Sequence, residues 1–153
     1  MTTPLITKRF EELTPLELYR LLQLRTQVFV VEQSCVFQDM DDHDRRAVHM
    51  FTEAREDAPL AGCIRVMRPG VTYPEASFGR VATALSARRT GVGRALVASA
   101  LAWLDRECPG PVYIGAQAYL ERFYGGYGFA QVGEPYIEDG IPHLHMRRVR
   151  AAL

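Results

Sequence analysis

The 153-residue chain predicts an α/β (α+β) fold, one mixed sheet with helices on both faces, built as a single domain over residues 1–153. Segments of strand and helix character follow one another in the order ββ, then βαβα, then ββ. Two of the helices carry their own start and stop signals, near residues 14 and 92. Hydrophobic residues make up 48% and charged residues 24%, the balance of a chain with a packed core. A domain of this length buries roughly two-thirds of its unfolded surface, so no disulfide or metal is needed for folding.

Residues 5–10 alternate briefly and read as an edge strand. Thr14-Pro15-Leu16-Glu17 is a capping box with Pro at the first helical position, and Leu18, Leu21, Leu22, Arg25, Val28 and Phe29 continue at helical spacing. The acidic run that follows, with Asp39, Asp41, Asp42 and Asp44, reads as a solvated loop. Residues 48–52 and 60–67 flank a polar segment and read as an antiparallel pair of strands ended by Pro69-Gly70. Residues 77–83 supply a further strand, and residues 92–107 a helix that stops at Pro109-Gly110-Pro111. Residues 112–116 read as a buried strand, and residues 119–127 as a short helix closed by Gly128 before a strand begins at Phe129. A loop holding Glu138, Asp139, Gly140, Ile141, Pro142 and His143 then leads to a last strand over residues 145–149.

The formal net charge is zero, which argues against a general nucleic-acid binder. The three cysteines, Cys35, Cys63 and Cys108, have no paired spacing, so neither a disulfide framework nor a tetrahedral zinc site is expected. Residues 1–10 contain no apolar leader core, and no run approaches bilayer length, so a cytoplasmic protein without a membrane partner is expected.

Residues 83–97 pass from a strand through a basic, glycine-punctuated turn into a helix. The first N–H groups of a helix lack intrahelical partners, and the aligned peptide dipoles add positive charge there. Gly91 and Gly93 allow a phosphate close to the backbone, and Arg88, Arg89 and Arg94 add formal charge, so a phosphorylated cofactor is the expected ligand. A P-loop needs Lys and then Ser or Thr after its last glycine, but Arg94-Ala95 follows Gly93. A dinucleotide fingerprint needs a small residue where Leu96 stands.

The pattern left, Arg88-x-x-Gly91-x-Gly93, resembles the pyrophosphate loop of the GNAT superfamily of N-acetyltransferases, which bind acetyl-CoA at this kind of junction. One helix and one strand later, residues 117–129, with Phe123-Tyr124 and a closing Gly128-Phe129, resemble the superfamily's second cofactor segment. Leu24-Arg25-x-x-Val28-Phe29-Val30-Val31-Glu32-Gln33-x-Cys35, then Asp39-x-Asp41-x-x-Asp44 and Glu138 to His143, resemble its ElaA-like branch. The resemblance covers nearly the whole chain. It implies a GNAT-like, mostly antiparallel sheet flanked by helices, and acetyl-CoA as cosubstrate. It also implies direct transfer, in a ternary complex, to a primary amine of a small molecule or peptide. A monomer or homodimer is expected.

Carried over residue by residue, the resemblance assigns the pyrophosphate to Arg88, Arg89, Thr90, Gly91, Val92, Gly93 and Arg94. The pantetheine arm falls to backbone groups of Val81, Ala82 and Thr83, with an oxyanion donor near Ala82 and Thr83, and Gln117 opens the second segment. Relatives often have a hydrophobic residue at Thr83, Pro at Leu85 and Gly at Arg89. Arg89 either adds a phosphate contact or faces solvent.

Acetyl transfer requires a neutral amine, so an ammonium with pKa near ~10 must lose its proton, and the departing thiolate must gain one. The resemblance makes Tyr124 the general acid, a role suited to a phenol that is protonated at neutral pH; the alternative is a packing tyrosine. Residues 77–83 hold no carboxylate, which leaves Glu32, Glu138 and His143 as candidate base or substrate-binding residues. Cys35 as an acyl-carrying nucleophile is disfavoured, since the superfamily that the chain resembles transfers directly in a ternary complex. Glu32, Asp41, Asp44, Glu138 and Asp139 would suit a cationic substrate if they converged. The alternative function is a non-catalytic acyl-CoA-binding or sensing module.

Overall fold

The computed structural model describes residues 4–149. Strands β1 (Leu5–Arg9), β2 (Val48–Thr52), β3 (Gly62–Met67) and β4 (Ser77–Thr83) form an antiparallel sheet in that order. Strands β5 (Val112–Gln117), β6 (Phe129–Glu138) and β7 (Ile141–Arg148) form a second antiparallel sheet in the order β5-β7-β6. The two halves meet in parallel between Ala76 and Val112, where the Tyr113 N–H donates to the Ala76 carbonyl at 2.9 Å. Past that bridge no β4–β5 pairing continues among the described residues, and a wedge opens between the strands.

Helices α1 (Pro15–Arg25) and α2 (Val92–Glu107) cover opposite faces, with a short α3 (Glu121–Gly125) before β6. Residues alternate across a strand, so Phe51, Cys63 and Ala82 point to α1 and pack on Leu21, Leu24 and Val28. Their neighbours Met50 and Ile64 point the other way, onto Leu96, Val97 and Leu104 of α2. Both faces of β2 and β3 are therefore buried along their whole length. At ~1.5–3 kcal/mol for each large apolar side chain removed from water, these layers supply most of the drive to fold. Gly62 brings α2 close, because a Cβ there would lie 2.6 Å from Val92 Cγ1.

The Thr14 hydroxyl accepts from the Glu17 N–H at 3.1 Å, and Glu17 Oε1 accepts from the Thr14 N–H at 2.9 Å, the expected capping box. The helix does not run on as a single α-helix to Phe29: from Thr26 to Glu32 it widens into a π-helix. Such turns recur at functional sites, and here Val28, Phe29 and Gln33 reach the wedge. The expected loop from Glu138 to His143 is instead a tight hairpin, with Asp139 and Gly140 at φ 52° and 77° and β7 starting at Ile141. Residues 1–3 of the N-terminal stretch read for a leader lie outside the described residues.

Candidate active site

The acidic run after α1 is not a solvated loop. Asp39 and Asp44 are 8% and 7% exposed. Arg25 Nε donates to Asp39 at 2.8 Å and its Nη1 to Asp44 at 2.7 Å, while Arg65 grips Asp41 through both terminal nitrogens at 2.6 Å. Arg65 Nη1 also reaches Asp44 at 3.1 Å, and Arg80 Nε donates to Asp39 at 2.7 Å. Arg25, Arg65 and Arg80 thus balance Asp39, Asp41 and Asp44. Desolvation alone would raise the Asp41 carboxyl, but hydrogen bonds and charge from Arg65, with the Arg80 charge, hold it at about 2. Desolvation opposes the lowering of Asp44 as well, and Arg25 and Arg65 overcome it. The cations come from α1, β3 and β4, remote from the run in sequence, which is why the charge pattern read alone pointed to solvent.

This cluster braces a distorted strand. Arg80 has φ 49°, a left-handed backbone that costs a non-glycine residue about 1–2 kcal/mol. The β3–β4 register passes from Cys63–Ala82 to Arg65–Gly79, so Arg80 and Val81 both fall opposite Ile64. The resulting β-bulge bends β4 beside the wedge. Ala82 is buried under α1 at 1% exposure, and the Thr83 carbonyl accepts from Arg88 Nε at 3.2 Å.

At the end of β4 the chain enters α2 through Gly91, its N-cap, at φ 92° with no side-chain cap. The first helical bond runs from the Ala95 N–H to the Gly91 carbonyl at 3.0 Å, and the N–H groups of Val92, Gly93 and Arg94 find no acceptor among the described residues. A Cβ on Gly91 would meet nothing within 4 Å, and one on Gly93 only Thr83 Oγ1 at 3.4 Å, so this helix end is open to a ligand. A pyrophosphate fits such a donor set. The Thr90 hydroxyl donates to the Ala87 carbonyl, closing the turn. Arg89 has φ 65°, the backbone that explains a preference for glycine at this place, and its side chain and that of Arg94 are exposed.

A cavity of about 500 Å³ fills the wedge between Phe29, Asp41, Arg65 and Arg80 on one side and Gln117, Tyr124, Glu138 and His143 on the other. Tyr124 is 5% exposed and packs against Phe78 and Phe129, with centroids 5.9 and 6.1 Å away. Its hydroxyl makes no hydrogen bond among the described residues, and burial pushes the phenol above its ordinary value, so it stays protonated. His143 sits opposite Gln117 of β5 and Tyr136 of β6, its ring stacked on Tyr136 at 5.5 Å. Nδ1 lies 2.7 Å from the Ile141 carbonyl, which can only accept, so Nδ1 carries the hydrogen and Nε2 of the neutral ring keeps its lone pair. Glu138 Oε2 is 3.6 Å from that Nε2.

Val81, Gln117, Tyr124, Glu138 and His143 therefore share one cavity. Glu32 does not: its carboxylate accepts from Arg88 Nη2 at 2.6 Å, beside the glycine loop. Of the five carboxylates, Asp41, Glu138 and Asp139 line the cavity, with Asp41 already paired to Arg65, whereas Glu32 and Asp44 face arginines and do not line it. Cys35 Sγ lies at the β6–β7 hairpin, 3.5 Å from the Asp139 carbonyl. No motif or local spacing in the chain marks Arg65 or Arg80. The available signal was a charged residue inside the otherwise apolar stretch Gly62–Met67, a place that demands a partner.

A family profile described as "Acetyltransferase (GNAT) domain" matches residues 19–150. Protein ElaA of Escherichia coli strain K12 is 39% identical over 138 residues, covering 90% of this chain and 90% of that protein. The crystal structure of Escherichia coli ElaA superposes with a TM-score of 0.86 at 37% identity, over 96% of this chain and 99% of the other. That of an acyl-CoA N-acyltransferase from Pseudomonas aeruginosa superposes with a TM-score of 0.86 at 42% identity, over 95% and 99%. With the splayed strands, the bulge and the open glycine loop in place, the chain belongs to the GNAT acetyltransferase family and to its ElaA-like members.

Proposed function

We propose that the protein moves an acetyl group from acetyl-CoA to a primary amine of a small molecule or peptide, directly and within a ternary complex, and that residues 1–153 act as one catalytic domain. The observation that carries this reading is the presence of Tyr124 and His143 in one cavity, the first a protonated acid and the second a base with an available lone pair. His143 Nε2 takes the proton that the amine gives up, and Glu138 steadies the charged ring. The amine nitrogen bonds to the thioester carbonyl carbon as the carbon–sulfur bond breaks, with backbone N–H groups between Val81 and Thr83 opposing the oxyanion. Tyr124 gives its proton to the departing sulfur and recovers one from His143 through the cavity; of the two protons that an ammonium sheds on becoming the amide, one thus ends on sulfur and the other leaves to solvent.

The pyrophosphate falls to the N–H groups of Val92, Gly93 and Arg94 with Arg88, Arg89 and Thr90 around them, and Gly91 keeps the approach clear. Gln117 lies at the end of β5 on the cavity wall, suited to the pantetheine arm. Glu32 acts at one remove by holding Arg88.

The test is thiol release from acetyl-CoA with a panel of primary amines, alongside the mass gain of the acetylated product. Turnover with at least one amine, reduced by His143→Gln at unchanged acetyl-CoA affinity, is expected. Tight CoA binding without thiol release for any amine would overturn catalysis and leave a non-catalytic acyl-CoA-binding module.

A further inference from the structure

Two buried side-chain polar atoms, Arg65 Nε and Thr72 Oγ1, lack a hydrogen-bond partner among the described residues, and both residues line the wedge cavity. Arg65 is 5% exposed and its terminal nitrogens are committed to Asp41 and Asp44, so its Nε–H is a charged donor without an acceptor. Buried groups of this kind are rare unless a ligand or water supplies the missing bond. Arg80 lines the same cavity, and its Nη1 makes no hydrogen bond among the described residues, while Nε and Nη2 hold Asp39 and Asp41.

The unused hydrogen-bonding capacity that these three residues bring to the cavity wall is two guanidinium N–H sources, which can only donate, and a hydroxyl, which can donate or accept. Asp41, the cavity-lining carboxylate that both arginines reach, is already neutralised by them. An ammonium finds at most the Thr72 hydroxyl as acceptor in such a set and is repelled by both guanidiniums, whereas a carboxylate accepts from all three groups, and charge-assisted bonds from Arg are the strong kind. Across the cavity His143 and Tyr124 serve an amine. We propose that the acceptor carries a carboxylate as well as its amine, as a free amino acid does, and that Arg65, Arg80 and Thr72 receive the carboxylate. This rests on the acyl-transfer reading above and narrows it from amines in general to amino acids.

The experiment compares common amino acids with their carboxamides and their decarboxylated amines, using thiol release from acetyl-CoA by the intact protein. Amino acids should show at least tenfold higher kcat/KM than either analogue. Thr72→Val removes the hydroxyl at nearly constant shape and should raise KM for the acids at least threefold, and an unchanged KM for the acids would remove Thr72 from the carboxylate site. Equal kcat/KM for acids and carboxamides would overturn the inference and leave the acyl-transfer reading intact. If no compound supports thiol release, the melting temperature of the CoA-saturated protein decides. A rise with amino acids but not with carboxamides keeps the carboxylate site and removes the acyl-transfer reading. No such difference overturns the site.

Discussion

Arg80 Nε donates to Asp39 Oδ1 at 2.7 Å, tying the left-handed residue of the β4 bulge to the loop that follows α1. The other oxygen of the same carboxylate accepts from Arg25 Nε at 2.8 Å. One buried aspartate thereby holds α1 and the bulge in a fixed relation, and the bulge borders the wedge. Structural charge and site geometry are joined at this point, so the cluster is expected to govern stability and site shape together.

Arg25→Met leaves Asp39 and Asp44 buried with one cation fewer. Removing one partner of a buried pair costs about 3–5 kcal/mol. Urea denaturation should report a loss on that scale, and a loss below about 1 kcal/mol would show that the cluster contributes little.

The same cluster sets the acid limit of the fold. Asp41 sits at about 2 and Asp44 is also lowered, although desolvation pushes both the other way. Their folded values lie below the unfolded ones, so their contribution is complete above the ordinary carboxylate range and is lost as pH falls through the folded values. The carboxylates' share of the melting temperature should be lost steeply between about pH 4 and about 2, below an earlier decline that begins where the unfolded imidazole of His49 charges, because burial holds the folded His49 ring below its ordinary value. The gap between the parent and Asp41→Asn should narrow over that window, and a gap independent of pH would contradict the assignment.

Tyr124→Phe removes a hydroxyl that bonds to nothing among the described residues, so stability should change little. If the phenol protonates sulfur, kcat should drop by about 10²-fold or more with acetyl-CoA affinity preserved. A variant with parental kcat would exclude Tyr124 from proton transfer.

Gly93→Val places a branched side chain at the open end of α2, where an added Cβ would lie 3.4 Å from Thr83 Oγ1. Affinity for acetyl-CoA, measured by calorimetry, should fall more than about tenfold, while the fold tolerates a residue of better helix propensity than glycine. Unchanged affinity would mean that the pyrophosphate lies elsewhere.

Local chemistry was legible in the chain itself: the Thr14–Glu17 capping box, the strand that ends at Thr83, the glycine entry to α2 and the stop of that helix after Glu107 each follow from neighbours in sequence. The family also followed from sequence, because the Arg88 to Gly93 spacing and the segment around Tyr124 are short-range patterns. The acidic run misled because burial is a property of the assembled layers: its partners Arg25, Arg65 and Arg80 lie on three different elements. Only tertiary structure separated His143, whose Nδ1 is fixed by the Ile141 carbonyl within the cavity, from Glu32, drawn to Arg88 beside the glycine loop. The physical reason is range. Caps, turns and helix ends are set by hydrogen bonds within a few residues, whereas a buried charge or the set of residues that share a cavity is set by which strands are neighbours, and the β5–β7 pairing and β4 bulge decide that here.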